Sequence, residues 1–227
     1  MTEQKYTPEE IQQDLNYLQL LSRSFRNAAE ASTEIINLEA ILGLPKSTEH
    51  FLADIHGEHE AFQHVLKNAS GDIKRKVREV LSDELSDKEI RTLCTLIYYP
   101  AEKLQLLKAE MEGHDMHDWY ALTLRRLISI CQNISSKYTR SKVRKSLPKE
   151  FSYIIQELLH DNTMLPNRQA YVGVIIDTII STRRADDFIT ALCKLIQRLA
   201  IDTLHILGDI FDRGHGPHHI MDILCNY

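Results

Sequence analysis

The stretch LHILGDIFDRG, Leu204 to Gly214, decides the fold of this chain. Leu204, Ile206 and Leu207, broken only by His205, form a short apolar run that stops at Gly208-Asp209, and Asp212-Arg213-Gly214 follows at once. A buried strand that ends in Gly-Asp sets a carboxylate at the mouth of a sheet, where α/β folds build their sites. Asp212 and Arg213 lie on the loop beyond it and can face the same point. The design recurs in HFLADIHGE, His50 to Glu58, where Phe51-Leu52-Ala53 runs into Asp54, His56 and Gly57. Asp54 and His56 are two apart, so an extended strand end points both to one side. A carboxylate and an imidazole on one side make half of a metal site, which Asp209 from the neighbouring strand completes or bridges. A lone Asp at a strand end is most often a cap or turn residue. The pairing of the two stretches is what carries the signal.

Composition bounds the rest. A chain of 227 residues with 43% hydrophobic and 26% charged residues can bury an ample core. Its net charge of −5 gives no basic excess of the kind nucleic-acid binders carry, so no nucleic-acid partner is expected. The polar opening MTEQKYTPEEIQQ has no apolar signal region, and no apolar run approaches a membrane span. Cys94, Cys131, Cys193 and Cys225 are scattered without a C-x-x-C pair, which fits reduced, mostly buried thiols in a cytoplasmic protein. With only 8 Gly and 6 Pro, long helices are favoured over a turn-rich β fold.

Along the chain, Thr7-Pro8-Glu9-Glu10 reads as a capping box opening a helix to about Ala31, and a second helix runs from Glu34 to Leu42. The strand ending at Asp54 feeds a helix through Gly57, as in the first half of a βαβ unit. The second half does not follow. Helical periodicity predicts Asp72–Leu81, Asp87–Tyr98, Ala101–Met111, His117–Ser135, Lys149–His160, Gln169–Thr182 and Ala185–Leu199. The last two offer apolar faces at Tyr171, Val174, Ile175 and Ile179, and at Phe188, Leu192, Leu195, Ile196 and Leu199. His56 and Asp209 are 153 positions apart, whereas a bare βαβ unit needs only ~30 residues. The expected organisation is therefore N-terminal helices over 1–45, a first strand and helix over 46–69, a helical insertion over 70–200, and a second strand and helix over 201–227.

Between Ser135 and Pro148 the segment SSKYTRSKVRKSLP gathers Lys137, Arg140, Lys142, Arg144 and Lys145. It reads as a solvated cationic face or loop, with an anion site as the functional alternative. His114 and His117 lack partners at metal-ligand spacing, and His215, His218 and His219 read as surface residues at the start of a terminal helix.

D-x-H after one strand and G-D-x-x-D-R-G after another resemble the metal-dependent phosphoesterases related to the protein phosphatases. Four further features narrow this: TEIINLEAILGLPKSTEHF before the first motif, YYPAEKLQLLK at Tyr98 to Lys108, the basic segment, and the long insert. Together, from about residue 32 onward, they resemble the class III fructose-1,6-bisphosphatases of low-GC Gram-positive and related bacteria. The resemblance implies an α/β fold, the N-terminal part of a calcineurin-like metallophosphoesterase sandwich carrying a large helical insertion and predominantly helical here. It implies hydrolysis of the 1-phosphate of fructose 1,6-bisphosphate, in gluconeogenesis, with two manganese ions. Carried over by position, Asp54, His56 and Asp209 hold metal, with Asp209 as the bridge. Arg213 clasps the phosphoryl oxygens, and Asp212 orients a general-acid histidine. In that superfamily the second metal also needs a G-N-H-[DE] motif and further histidines beyond Asp-Arg-Gly, and these are absent from this sequence. The family also usually has Pro directly after that triplet, where His215 stands. The expectation is thus an incomplete two-metal site, weak manganese binding and no useful turnover by this chain alone. A homo-oligomer or a complementing C-terminal fragment are the partners considered. The rival readings are another phosphoesterase of the same core, which the long insert opposes, and a non-catalytic helical module that retains the half-site as a relic.

Overall fold

The computed structural model describes residues 7–111, 116–160 and 165–226. The chain divides into two units, 1–45 and 46–227. In the first, α1 (Pro8–Gln13), α2 (Leu15–Ser24) and α3 (Ala28–Leu42) follow one another, and none of their residues is buried. The Thr7 capping box forms: the Thr7 amide donates to Glu10 Oε2 at 2.7 Å, and the Glu10 amide donates back to Thr7 Oγ1 at 3.3 Å. The long helix expected to reach Ala31 is corrected. Asp14 separates α1 from α2, Phe25 turns extended, and Asn27 accepts the Glu30 amide at 2.9 Å, so a new helix starts at Ala28 and absorbs the Glu34–Leu42 segment. A side-chain N-cap at Asn27 outcompetes continuation because it satisfies an otherwise unpaired amide.

The second unit is built around β1 (Glu49–Leu52) and β2 (Thr203–Ile206). They pair in parallel with Glu49 opposite Thr203 and Leu52 opposite Ile206. After β1 come α4 (His59–Asn68), α5 (Asp72–Leu81), α6 (Asp87–Tyr98), α7 (Pro100–Glu110), α8 (His117–Ser135), α9 (Arg140–Ser146), α10 (Ser152–His160), α11 (Pro166–Ser181) and α12 (Ala185–Ala200). The helix α13 (Pro217–Asn226) follows β2. Between residues 70 and 200 every regular element among the described residues is helical.

The core of this unit lies in the helices. α12 is the central one, packed on α8, α6 and α7. Its buried face includes Phe188, Leu192, Leu195, Ile196 and Leu199, the stripe its period predicts. Phe188 meets Phe151 edge to face, with ring centroids 5.0 Å apart. From α8, Leu124, Leu127, Ile130 and Ile134 are fully buried opposite it. Two polar side chains that reach the core are paired there: Tyr138 donates to the Leu199 carbonyl at 2.8 Å, and the Gln132 amide to the Leu158 carbonyl at 2.8 Å. Cys94, Cys131 and Cys193 are buried and Cys225 is exposed.

One further expectation is corrected and another is narrowed to one of its alternatives, a solvated cationic helix face. The buried stripe of α11 is Val172, Ile176 and Ile179, while Val174 is 64% exposed and Tyr171 faces solvent. Positions 172, 176 and 179 satisfy the i, i+4, i+7 rule equally well, and packing on α8 chose between the two stripes. The basic segment is not a loop, for α9 begins where Thr139 Oγ1 accepts the Lys142 amide at 3.3 Å, and Val143 and Leu147 anchor it to the core. His114 lies outside the described residues.

Candidate metal centre

The chain leaves β1 and β2 side by side and the pairing continues past both strands. Leu207 and Gly208 donate to the carbonyls of Leu52 and Ala53 at 2.9 and 3.1 Å. The amides of Ile55 and His56 both donate to the Asp209 carbonyl, at 2.8 and 3.0 Å, and Gly57 donates to Ile210 at 2.8 Å. Gly214 then donates back to the His56 carbonyl at 2.7 Å. Two loops far apart in sequence are zipped by backbone hydrogen bonds into one surface.

Asp54, His56 and Asp209 meet on that surface, each with one ligand atom within 4.8 Å of the others. Two bonds of ~2.2 Å across one first-row ion span roughly 4.4 Å, so the spacing suits a single cation with mixed N and O donors. The donors fit a divalent metal, and they are the three that the sequence nominates. How they converge differs from expectation. β1 ends at Leu52, and His56 sits in the left-handed region at φ 51°, so Asp54 and His56 do not share one side of an extended strand. The turn itself aims the imidazole. Such a conformation in a non-glycine residue costs energy and persists where the surroundings over-determine it, here through the amide and carbonyl of His56, both bonded to the second loop.

Asp212 makes a contact that the sequence does not announce. Its Oδ1 accepts from His56 Nδ1 at 2.8 Å. Held so, His56 would carry its proton on Nδ1 and offer Nε2 to a cation, as in carboxylate–histidine–metal arrangements that fix tautomer and ring orientation. The hydrogen bond from His56 holds the Asp212 carboxyl below its ordinary range. Arg213, whose side chain is 74% exposed and whose φ is 69°, lies 3.2 Å from Asp212 Oδ2 through Nε. Asp54 is in turn oriented by the Asp209 amide, which donates to its Oδ1 at 3.2 Å.

Glycines set the closeness, and the sequence reading undervalues them. A Cβ on Gly208 would stand 2.0 Å from Asp54 Oδ1, and one on Gly214 would stand 2.3 Å from the His56 carbonyl oxygen. Their signal was present as the glycines of G-D and D-R-G, but only contact between the two loops explains the requirement. His59 was missed as well: its ring lies 4.7 Å from that of His219, which is 4.0 Å from His218. Among the described residues these histidines stand outside the three-donor group.

Comparison with known proteins places the chain among named relatives. The chain is 72% identical over 97% of its length to the fructose-1,6-bisphosphatase class 3 of Phocaeicola vulgatus, covering 33% of that protein. It is 70% identical to the protein of the same name from Bacteroides thetaiotaomicron, again over 97% of the chain and 33% of the relative. For one from Clostridium beijerinckii the identity is 59%, over 94% of the chain and 32% of the relative. The chain thus spans about a third of the length of the curated relatives it matches. No solved structure matches it. The family model described as Firmicute fructose-1,6-bisphosphatase matches residues 16–227, nearly the whole chain, which therefore belongs to that family.

Proposed function

We propose that this chain supplies one metal-binding half of a fructose-1,6-bisphosphatase centre, which hydrolyses fructose 1,6-bisphosphate to fructose 6-phosphate and phosphate. The observation that carries the reading is the convergence of Asp54, His56 and Asp209, with Asp212 behind the imidazole. Asp54, His56 and Asp209 would hold a divalent cation, with manganese as the ion of choice. When bound, that cation supplies Lewis acidity toward a phosphate ester and neutralises part of its charge. Asp212 keeps the His56 proton on Nδ1, so the imidazole meets a cation through a lone pair and not through an N–H. Arg213 offers a planar fork of donors to the phosphoryl oxygens, a match that an ammonium does not provide. Within the described residues no fourth His, Cys, Asp or Glu donor joins the group. A second cation would therefore need donors from outside them, and the metallophosphoesterase sandwich is the frame we propose for their arrival. The same reading puts the activity in gluconeogenesis and in the cytoplasm. What bears on location here is that no helix among the described residues is long and apolar enough to cross a membrane.

The test is phosphate release from fructose 1,6-bisphosphate with manganese. It compares the chain alone, the chain mixed with the remaining two thirds of the Phocaeicola vulgatus relative, and the same mixture carrying Asp209→Asn. Turnover in the mixture alone, abolished by Asp209→Asn, is the expected result. Turnover indifferent to Asp209→Asn would overturn the proposal.

A further inference from the structure

Away from the metal centre, α4, α9, α12 and α13 enclose a cleft of about 950 Å³. Its floor is apolar, with Leu66, Leu147, Leu195 and Ile201 buried beneath it. Six cations stand around it, Lys67, Lys142, Lys145, Lys149, Lys194 and Arg198, against one carboxylate, Asp202. This is a sharp local reversal in a chain whose net charge is −5. Asp202 does little to offset it, because it is already paired with Lys142. Arg198 Nη1 donates to the Ser146 carbonyl at 3.3 Å, and Lys67 lies 4.6 Å over the Tyr99 ring. Lys145, Lys149 and Lys194 meet no carboxylate within ion-pair distance among the described residues.

Ordinary helix electrostatics explain only part of this arrangement. Lys67 and Lys145 sit in the last turns of α4 and α9, where cations complement the helix dipole. Lys194 is in the middle of α12, and Lys149 follows the turn at Pro148, so neither gains anything from a helix end. Like charges on separate elements repel, and for Lys145, Lys149 and Lys194 no carboxylate among the described residues offsets that cost. The cleft is the size of a small-molecule site. It is concave where a nucleic-acid surface would be an extended basic stripe.

We infer that this cleft is a second anion site, for a small phosphorylated molecule carrying two anionic groups, and is distinct from the metal centre. Two anionic groups suit a ring of point charges drawn from four elements, and an apolar floor suits the carbon skeleton between them. The separation from the metal centre follows from α4, whose first turn is at His59 beside the metal loops and whose end, at Lys67, reaches the cleft. At 1.5 Å per residue, the ten residues of that helix put the two sites ~15 Å apart.

The test is calorimetric titration of the 227-residue chain with inorganic pyrophosphate, at fixed ionic strength and with a chelator present. The chelator keeps the metal centre out of the measurement, so the outcome is independent of the function proposed above. One saturable site per chain is expected. K145Q/K194Q should weaken it by about tenfold or more, as loss of charge-assisted contacts does. K145R/K194R should retain it, and R213Q should leave it unchanged. Circular-dichroism melts accompany each variant, so that a misfolded protein is not read as a lost site. Titration without saturation, or affinity that follows Arg213, would overturn the inference. So would a short Glu-rich peptide binding more tightly than pyrophosphate, which would assign the cleft to a protein partner.

Discussion

The helical body and the pair of metal loops, both within residues 46–227, are held together by different forces. In the body, α12 and α8 bury whole stripes of Leu, Ile and Phe, and stability comes from apolar area removed from water. In the loops Asp54, Asp209, Asp212 and Arg213 are all exposed. There the geometry rests on backbone hydrogen bonds between the two loops and on glycines that let them touch. The body can therefore lose a methyl group and keep its shape, whereas the loops have no slack. A site for a small, highly charged ligand needs this, since exposed carboxylates that repel one another must be positioned by something other than their own packing.

Substitutions can break this division. Phe188→Ala, in the middle of the body, should cost about 3–5 kcal/mol in urea denaturation, the usual price of an aromatic cavity. The manganese affinity of the molecules that remain folded should be unchanged. If affinity fell in step with stability, the two regions would be one cooperative structure and the contrast would be wrong. Gly208→Ala should do the reverse. Its Cβ must displace Asp54 Oδ1, so manganese binding measured by calorimetry should drop toward the upper end of the ~10–100-fold range seen when ligand support is disturbed. The urea midpoint should shift little.

Asp212→Asn sharpens the comparison within the loops. The amide keeps the volume but removes the charge that fixes the His56 tautomer, so affinity should fall by roughly tenfold with the fold intact. An affinity equal to wild type would show that the turn alone aims His56. Ser86→Ala acts only on the body. It removes the capping box of α6, in which Ser86 Oγ accepts the Glu89 amide, and should cost about 1 kcal/mol without touching manganese binding.

The smallest effect concerns His50, buried on β1 with its Nε2 2.5 Å from Ser70 Oγ and no partner at Nδ1 among the described residues. Burial holds its pKa below the ordinary 6.5. With the folded value depressed, the unfolded chain binds the proton more readily, so stability falls as pH drops below about 6.5 and continues to fall toward the folded pKa. His50→Asn should flatten this part of the stability curve between about pH 7 and pH 5. A slope identical to wild type would mean that other histidines carry it.

Much of the centre was legible because the motifs are local. An apolar run that stops at an Asp marks a strand end, and Asp54, His56 and Asp209 were nominated from the pairing of two such runs. The pairing of Asp212 with His56 was not legible, since it joins residues 156 positions apart. The left-handed turn at His56 was hidden for a similar reason: it is maintained by the opposite loop and not by any local preference of His. On α11 two stripes of apolar residues compete at nearly equal spacing, and sequence periodicity has no means of choosing between them.

By itself, then, the sequence determined that the regular elements between residues 70 and 200 are helical, that two short strands lie just before Asp54 and Asp209, and which three side chains could share a cation. Hydrophobic period, capping and turn chemistry are properties of neighbours in the chain. Tertiary structure alone decided which face of α11 is inside, which carboxylate holds the His56 proton, and that Lys67, Lys149 and Lys194 surround one cleft. Those outcomes depend on distances between elements, and such distances are settled only when the apolar faces pack and the loops they carry are brought within hydrogen-bonding reach.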